Sequence, residues 1–506
     1  MKKLRRLAFV TLCAVTVLVS CKKVAVPPAT PTVPTETSPV TSTDKTFTVT
    51  VKVAGQLDQI GKTTQAVAEV KDAKGVIITG KTVTWSLSAL GLISISPTGL
   101  VTALQSGATK VIATVENVTA EATVTVGGKE NALAKSLGCL CDEQDFAGKP
   151  PVVLTAPIMK PEDISILFPL GYMWKGHVTP IDHQYYYPLN VLAVPVQEYP
   201  VYAPADGYVI RVSRTGNFQV EAGLAPRDNY DILIQHSCNT YTLLTLVTGI
   251  TAEMSAAIGQ LERGTGKSTY IKITAGQQIA RVGGQSLDVT FFDTNTPEKK
   301  WVVPAHYQEQ SKKYATDPFM FYTPGIKNAL LAKTLRTTEP KGGRFDYDED
   351  GKLAGTWFLQ GTNGYEGAAN QGNDYWRGHL VFAYHAFDPS AVEISIGRWN
   401  KPGATEEQVK AGWQFSVKGN TPDPKNVMES SGLVKYELAN ITYSLGNGNP
   451  WDMQTYQGFV YIGAGNTEGV LLVQMIAPRL IRVEAFPGKT AGQVTGFTTA
   501  AQLYER

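Results

Sequence analysis

The chain has 506 residues, 43% hydrophobic and 18% charged, which is globular in composition and too long for one hydrophobic core, so about three domains are expected. Its 46 basic and 44 acidic residues nearly cancel, leaving +2, and that balance argues against a nucleic-acid partner. The 47 Gly, 29 Pro and 22 Tyr, with abundant Val and Thr, favour strands and turns over helices.

Residues 1–20 read as a secretory signal peptide. Lys2, Lys3, Arg5 and Arg6 form a basic start, and the apolar run Leu7–Val19 is shorter than the ~20 residues that cross a bilayer. The run ends Leu18-Val19-Ser20-Cys21, which resembles a bacterial lipobox. The resemblance implies cleavage before Cys21, lipidation of its thiol and a membrane partner reached through acyl chains. Lys22 follows, not the Asp that retains some lipoproteins at the inner membrane, so an outer-membrane or cell-surface location is expected. No later stretch is apolar enough to span a membrane. Residues 21–45 are rich in Pro and Thr and cannot bury enough surface to fold. At about 3.1 Å per residue when extended, they form a lipid-anchored tether.

Residues 46–127 alternate as short strands. Phe47, Val49, Val51 and Val53 share one face, and Gly and Asp turns recur between later strands, the pattern of a β-sandwich. Trp85 reads as a core residue. Trp85-Ser86, Gly99-Leu-Val-Thr-Ala103 and Gly107-Ala-Thr-Lys-Val-Ile-Ala-Thr114 resemble a bacterial immunoglobulin-like domain of the second group, which implies a spacer or adhesive module without chemistry of its own. Residues 128–151 are a connector in which Ala132–Leu137 suggests one helical turn. Of the five cysteines, Cys139, Cys141 and Cys238 follow the leader. An odd count leaves one thiol over, and a bond from Cys139 or Cys141 to Cys238 stands beside the alternative of free thiols.

Residues 152–300 carry Gly171-Tyr-Met-Trp-Lys-Gly-His177, Asp182-His183, Ala203-Pro-Ala-Asp-Gly207, Tyr241-Thr-Leu-Leu244, Ala275-Gly-Gln-Gln-Ile-Ala-Arg-Val-Gly283 and Leu287-Asp-Val-Thr-Phe291. In that order they resemble the lysostaphin-type zinc endopeptidases, which cut peptide cross-links of bacterial cell walls. The resemblance implies a β-rich groove and a site with a His followed by an Asp four residues later, a catalytic His in Tyr-x-His-Leu and a closing His-x-His-Phe. Here His177 precedes Asp182 by five residues, and His183 is a further candidate metal ligand. Leu243 stands where the catalytic His is expected, and Asp288 and Thr290 replace both histidines of the closing motif. His236 matches a strand position that supplies no ligand. Catalytic zinc needs three protein ligands, an open water site and a proton acceptor. A degenerate, non-catalytic relative without cofactor is therefore expected, binding cell-wall or surface glycans or peptides. The alternative is an active zinc endopeptidase on a rearranged set of His177, Asp182, His183 and Asp288, since aspartate also binds zinc. In Tyr185-Tyr186-Tyr187 at most two rings share a face, open to stacking on a sugar or to packing.

Residues 315–506 read as a C-terminal β domain, barrel or sandwich, with a helix at Ile326–Thr334. Expected strands are His379–His385, Ala391–Ile396, Gly458–Ile462, Gly469–Met475 and Leu480–Glu484, with loops at 365–378 and 443–457. Asp346-x-Asp348-x-Asp350-Gly351 resembles the start of a calcium loop, but Trp357 stands at its twelfth position, so a β-hairpin turning at Asp350-Gly351 is favoured. His379 and His385 lie too far apart along a strand to chelate one ion together. The fold expected for the whole is mostly β: an Ig-like sandwich, a peptidase-like β-rich domain and a C-terminal barrel or sandwich.

Overall fold

A computed structural model describes residues 47–54, 57, 63–88, 93–103, 107–126, 146, 151–218, 227–295, 301–368, 372–452 and 460–506. The leader, Cys21, the tether, Cys139, Cys141 and the turn expected at 132–137 lie outside these residues. The fold is mostly β, as its composition indicates, and divides into two compact units at Pro151.

In the first unit, β1 (Phe47–Val53), β2 (Thr63–Asp72), β4 (Ile93–Ile95) and β5 (Leu100–Ala103) form one sheet in the order β1-β2-β5-β4, and β3 (Thr84–Leu87), β6 (Gly107–Val115) and β7 (Val118–Val126) form another. Alternation decides what is buried. Phe47, Val49 and Val51 enter the core with Val101, Val111 and Val115, while Lys52 faces water. Trp85 packs against this core only half-buried.

The second unit begins with β8 (Ile164–Phe168), β9 (Gln184–Pro188), β10 (Tyr199–Tyr202), β11 (Gly207–Phe218), β12 (Arg227–Gln235), β13 (Thr240–Val247), β14 (Gly249–Ile250), β15 (Thr265–Ile273), β16 (Gln278–Val282), β17 (Leu287–Asp293) and β18 (Ala315–Thr316). The main sheet runs β15-β11-β12-β13-β17-β9-β8, with β18 also on β17, and β10-β16-β14 form a smaller sheet. Ile232, Ile234, Leu244, Val289, Phe291 and Tyr186 project from one face of the main sheet into the larger core. Alternate residues therefore line the opposite face. Residues beyond β18 continue on this sheet: the helix Pro324–Leu331, starting two residues before the expected span and ending three before it, seats Leu330 in the same core.

The remaining strands are β19 (Gly355–Leu359), β20 (His379–Tyr384), β21 (Val392–Ile396), β22 (Trp413–Lys418), β23 (Leu433–Leu445), β24 (Val460–Ala477), β25 (Leu480–Pro487) and β26 (Gln502–Glu505). They close an antiparallel barrel in chain order, β26 returning to β19. Its interior is filled by Trp357, Phe382, Trp399, Tyr436, Leu438 and Leu471, as fits a barrel of this strand number. The barrel settles the open choice between barrel and sandwich. Two strands expected separately, 458–462 and 469–475, merge into the single β24. Its glycines allow the merger: Gly463 and Gly465 lie directly across from the Thr442 and Asn440 side chains, where a Cβ would collide. The loop expected from 443 likewise starts later, because β23 runs to Leu445.

Barrel and main sheet share a second core. Ile166, Phe168, Tyr172 and Tyr185 from the sheet side pack with Ala386, Phe387, Trp451 and Val460 from the barrel side. The calcium-loop carboxylates are parted among three arginines: Asp346 with Arg344, Asp348 with Arg506 and Asp350 with Arg479. At Asp350-Gly351 a turn forms, with Lys352 N–H donating to Glu349 O at 3.1 Å and Gly351 at φ 72°, but residues 344–349 before it are not a strand, so the expected hairpin is absent.

Candidate functional site

The face of the main sheet opposite the larger core is the candidate groove, and Tyr185, Asp288 and Thr290 on it are buried. Asp231 on β12, Leu243 and Thr245 on β13, Asp288 and Thr290 on β17 and Tyr185 on β9 alternate with the core residues behind them. Register aligns Thr245 and Tyr185 with Asp288, and Leu243 with Thr290. The residues that replace the three expected histidines thus stand side by side.

A loop from Gly171 to His183 closes over one end of this face. Gly171 sits at φ 88° against Arg344 O, a conformation and a closeness that exclude a Cβ. Trp174 and His177 pair as a tight turn, with Lys175 at φ 50° between them. The barrel fixes that turn. Gln414 accepts from Lys175 N–H at 2.7 Å and donates to Lys175 O at 3.1 Å. Trp376 lies over Gly176, and a Cβ at Gly412 would strike Lys175 O. Exchange of Gly412, itself at φ 72°, for Ala is expected to cost about 2 kcal/mol or more of stability, combining a forbidden φ with a backbone collision. Chemical denaturation reads this, and a change below about 0.5 kcal/mol would show that the clamp is soft.

The loop delivers His177, Asp182 and His183 beside Tyr185. His183 Nδ1 lies 3.1 Å from Asp182 Oδ1, and its Nε2 lies 3.0 Å from the Tyr185 hydroxyl and 3.5 Å from Asp288 Oδ2. The same hydroxyl lies 3.0 Å from His177 Nε2. Burial would neutralise His183, but the Asp288 and Asp182 carboxylates outweigh it and raise its pKa. Burial, with His183 nearby, pushes His177 down to about 3. Burial alone would raise Asp182, yet Lys312 and the His183 hydrogen bond hold it below the usual carboxylate range. Tyr185 thus joins the two imidazoles in one hydrogen-bonded chain that Asp182 and Asp288 flank.

This arrangement tests the zinc cradle. A metal shared by His177 and His183 needs a lone pair from each Nε2 converging on one point. Here each Nε2 lies 3.0 Å from the Tyr185 hydroxyl. Leu243 and Thr290 supply no nitrogen donor, so a metal here would have to be held by His177, His183 and the Asp182 and Asp288 carboxylates.

Two further groups escape the motif. Asp231 is raised to about 7 by burial and by Asp288, against the opposing charge of Arg211. Lys312 is buried, donates to Pro180 O at 3.3 Å and stands 4.8 Å from the Tyr365 ring. A lone acid inside the apolar run Tyr230–Ile234 is a readable signal for the first, whereas nothing around Lys312 marks the second. His236 lies outside the cluster, its Nδ1 3.0 Å from Asp206 O and its Nε2 2.9 Å from the Thr242 hydroxyl. Of the three tyrosines, Tyr186 enters the core behind the sheet, while Tyr185 and Tyr187 share the groove side. His379 and His385 are both buried and pair separately, with Tyr365 O at 3.1 Å and the Tyr443 hydroxyl at 3.2 Å. Cys238 is disulfide-bonded; the other cysteines lie outside the described residues.

Fold and site together define a β-rich scaffold, braced by a barrel, with a histidine–tyrosine–carboxylate cluster on one sheet face. Among solved structures the chain is similar to a putative peptidase M23 from Pseudomonas aeruginosa, at 13% identity and TM-score 0.15 over 47% of this chain and 86% of that one. It is also similar to the binding domain of Paraclostridial Mosquitocidal Protein 1, at 9% identity and TM-score 0.12 over 70% of this chain and 74% of the other. No protein-family model and no curated protein matches it. At these scores neither likeness bears on the chemistry.

Proposed function

We propose that the chain is a non-catalytic lipoprotein of the cell envelope, anchored through Cys21, whose first domain is an Ig-like module presenting the groove to cell-wall or surface glycan or peptide ligands. The observation that carries this reading is the Tyr185 bridge. Its hydroxyl hydrogen-bonds to both imidazoles at 3.0 Å, so each Nε2 already has a partner within the chain. The lipobox, the Pro/Thr tether and Leu243 in place of the expected catalytic His point the same way. A second reading, a zinc endopeptidase cutting peptidoglycan cross-links, is favoured by the gathering of His177, Asp182, His183 and Asp288. The lipidated chain in detergent is expected to co-sediment with purified peptidoglycan sacculi. Cys21→Ser is expected to abolish incorporation of labelled fatty acid without changing that co-sedimentation. A chain that stays in the supernatant with sacculi and with surface polysaccharide alike would refute the binding role.

A further inference from the structure

The groove face holds one polar atom that its surroundings leave unanswered. Asp288 is 7% exposed, and its Oδ1 has no hydrogen-bond partner. Its other oxygen faces His183 Nε2 at 3.5 Å, and Thr245 across the register donates to the carboxylate. An unpaired carboxylate oxygen at that depth costs free energy unless a donor reaches it. Among the described residues no fixed cation fills this place: Lys312 is directed to Pro180 O and the Tyr365 ring, His183 faces the other Asp288 oxygen, and the charge of Arg211 acts on Asp231. Beside Thr245 on the opposite strand lies a second acid, Asp231, the next groove-facing residue of β12. Asp231, Leu243 and Thr245 are only half-buried, so the stripe runs from solvent inward to Asp288. One wall of it is the apolar Leu243, half-buried beside Thr290.

We infer that this stripe binds a primary ammonium group carried on an alkyl stem, the side chain of a lysine-type residue in a peptide ligand. The stem lies along Leu243 and the ammonium lies between Asp288 Oδ1 and Asp231. An ammonium supplies three donors and no acceptor, which suits the Asp288 Oδ1 that His183 leaves unanswered while it faces the other oxygen, with Asp231 as the second acceptor. A neutral stem of equal length would leave Asp288 unanswered and gain only the Leu243 contact. The inference rests on the binding role above and names the part of the ligand that the groove reads.

The test uses the full lipidated chain in detergent, with EDTA present, titrated with N-acetyl-Lys-Ala amide and with its norleucine counterpart. The lysine peptide is expected to bind at least about tenfold more tightly, the equivalent of about 1.4 kcal/mol. Asp288→Asn is expected to remove the preference and Asp231→Asn to weaken it several-fold, with circular dichroism and melting temperature confirming that both variants fold. Equal binding of the two peptides, no binding of either, or a preference that survives Asp288→Asn overturns the inference. A preference seen only when EDTA is omitted also overturns it, since the group bound would then be a metal ion. Sacculi co-sedimentation on the same preparation separates the two claims. If sacculi bind without any lysine preference, only this inference fails; if sacculi also fail to bind, the binding role fails with it.

Discussion

Glu393→Gln is expected to stabilise the protein at neutral and alkaline pH, by about 2–5 kcal/mol at pH 8. Glu393 lies on β21, paired between Ala383 and Ser416. Its neighbours Ile394 and Ile396 fill the barrel, so Glu393 points out of it, toward the junction with the main sheet. It is 2% exposed, and neither carboxylate oxygen has a hydrogen-bond partner. Its charge is felt by Tyr172, Tyr347 and Tyr443, whose pKa values it helps to raise. Burial alone pushes Glu393 from 4.5 to about 8. The folded chain therefore holds a neutral acid where the unfolded chain is ionised. The stability tied to this group is fully present below pH 4.5 and is lost as pH rises through about 8. At about 1.4 kcal/mol per pH unit the full displacement is worth roughly 5 kcal/mol; relaxation around the acid lowers this toward 2. Glutamine matches the neutral form at every pH. Urea unfolding of both chains should give equal stabilities near pH 4 and a gap that widens toward pH 8. Parallel profiles across that range would mean that Glu393 has a donor or a water at hand.

Arg506→Met is expected to destabilise the barrel by about 3–5 kcal/mol. Arg506 follows β26, the strand that returns to β19. Its guanidinium donates to Ala354 O and Glu349 O, each at 2.6 Å, and also to Lys352 O. It stacks 4.1 Å from the Trp357 ring and lies 3.9 Å from Asp348 Oδ1, with both charged side chains 1% exposed. Asp348 also accepts from Thr356 N–H at 2.8 Å and Val302 N–H at 3.3 Å. Burial raises its pKa to about 6 even against the pull of Arg506. Removing the cation leaves a buried carboxylate unpaired and three carbonyls undonated, which is the costly way to break such a pair. Replacing both partners, with Asp348→Asn added, should recover part of the loss, because the stranded charge goes with it. A loss under about 1 kcal/mol for Arg506→Met would show that solvent reaches Asp348.

Strands were legible where one face is buried. Phe47, Val49 and Val51 announce β1, and Tyr230, Ile232 and Ile234, with Asp231 between the first two, announce β12. Closure of the barrel was not legible, because the pairing of β26 with β19 and of Arg506 with Asp348 joins residues far apart in sequence with no local trace. The glycines of β24 misled for a physical reason. Gly usually breaks a strand, but here it clears room for Thr442 and Asn440 on the neighbouring strand. In the site, motif spacing brought His177, Asp182 and His183 forward and marked Leu243 and Thr290 as substitutions. Tyr185 lies two residues beyond His183, so alternation puts it on the groove side, but nothing local says that its hydroxyl bridges two histidines. That depends on a turn held by Gln414 of the barrel, more than two hundred residues away.

The reading proposed above is that the groove binds without cutting, with the Tyr185 hydroxyl hydrogen-bonded to both imidazoles. Zinc content of the purified chain, measured together with release of soluble fragments from peptidoglycan sacculi in zinc-containing buffer, tests it most directly. The account expects zinc well below one per chain and sacculi that are bound but uncut. One zinc per chain with fragment release, both lost on His177→Ala, would contradict it.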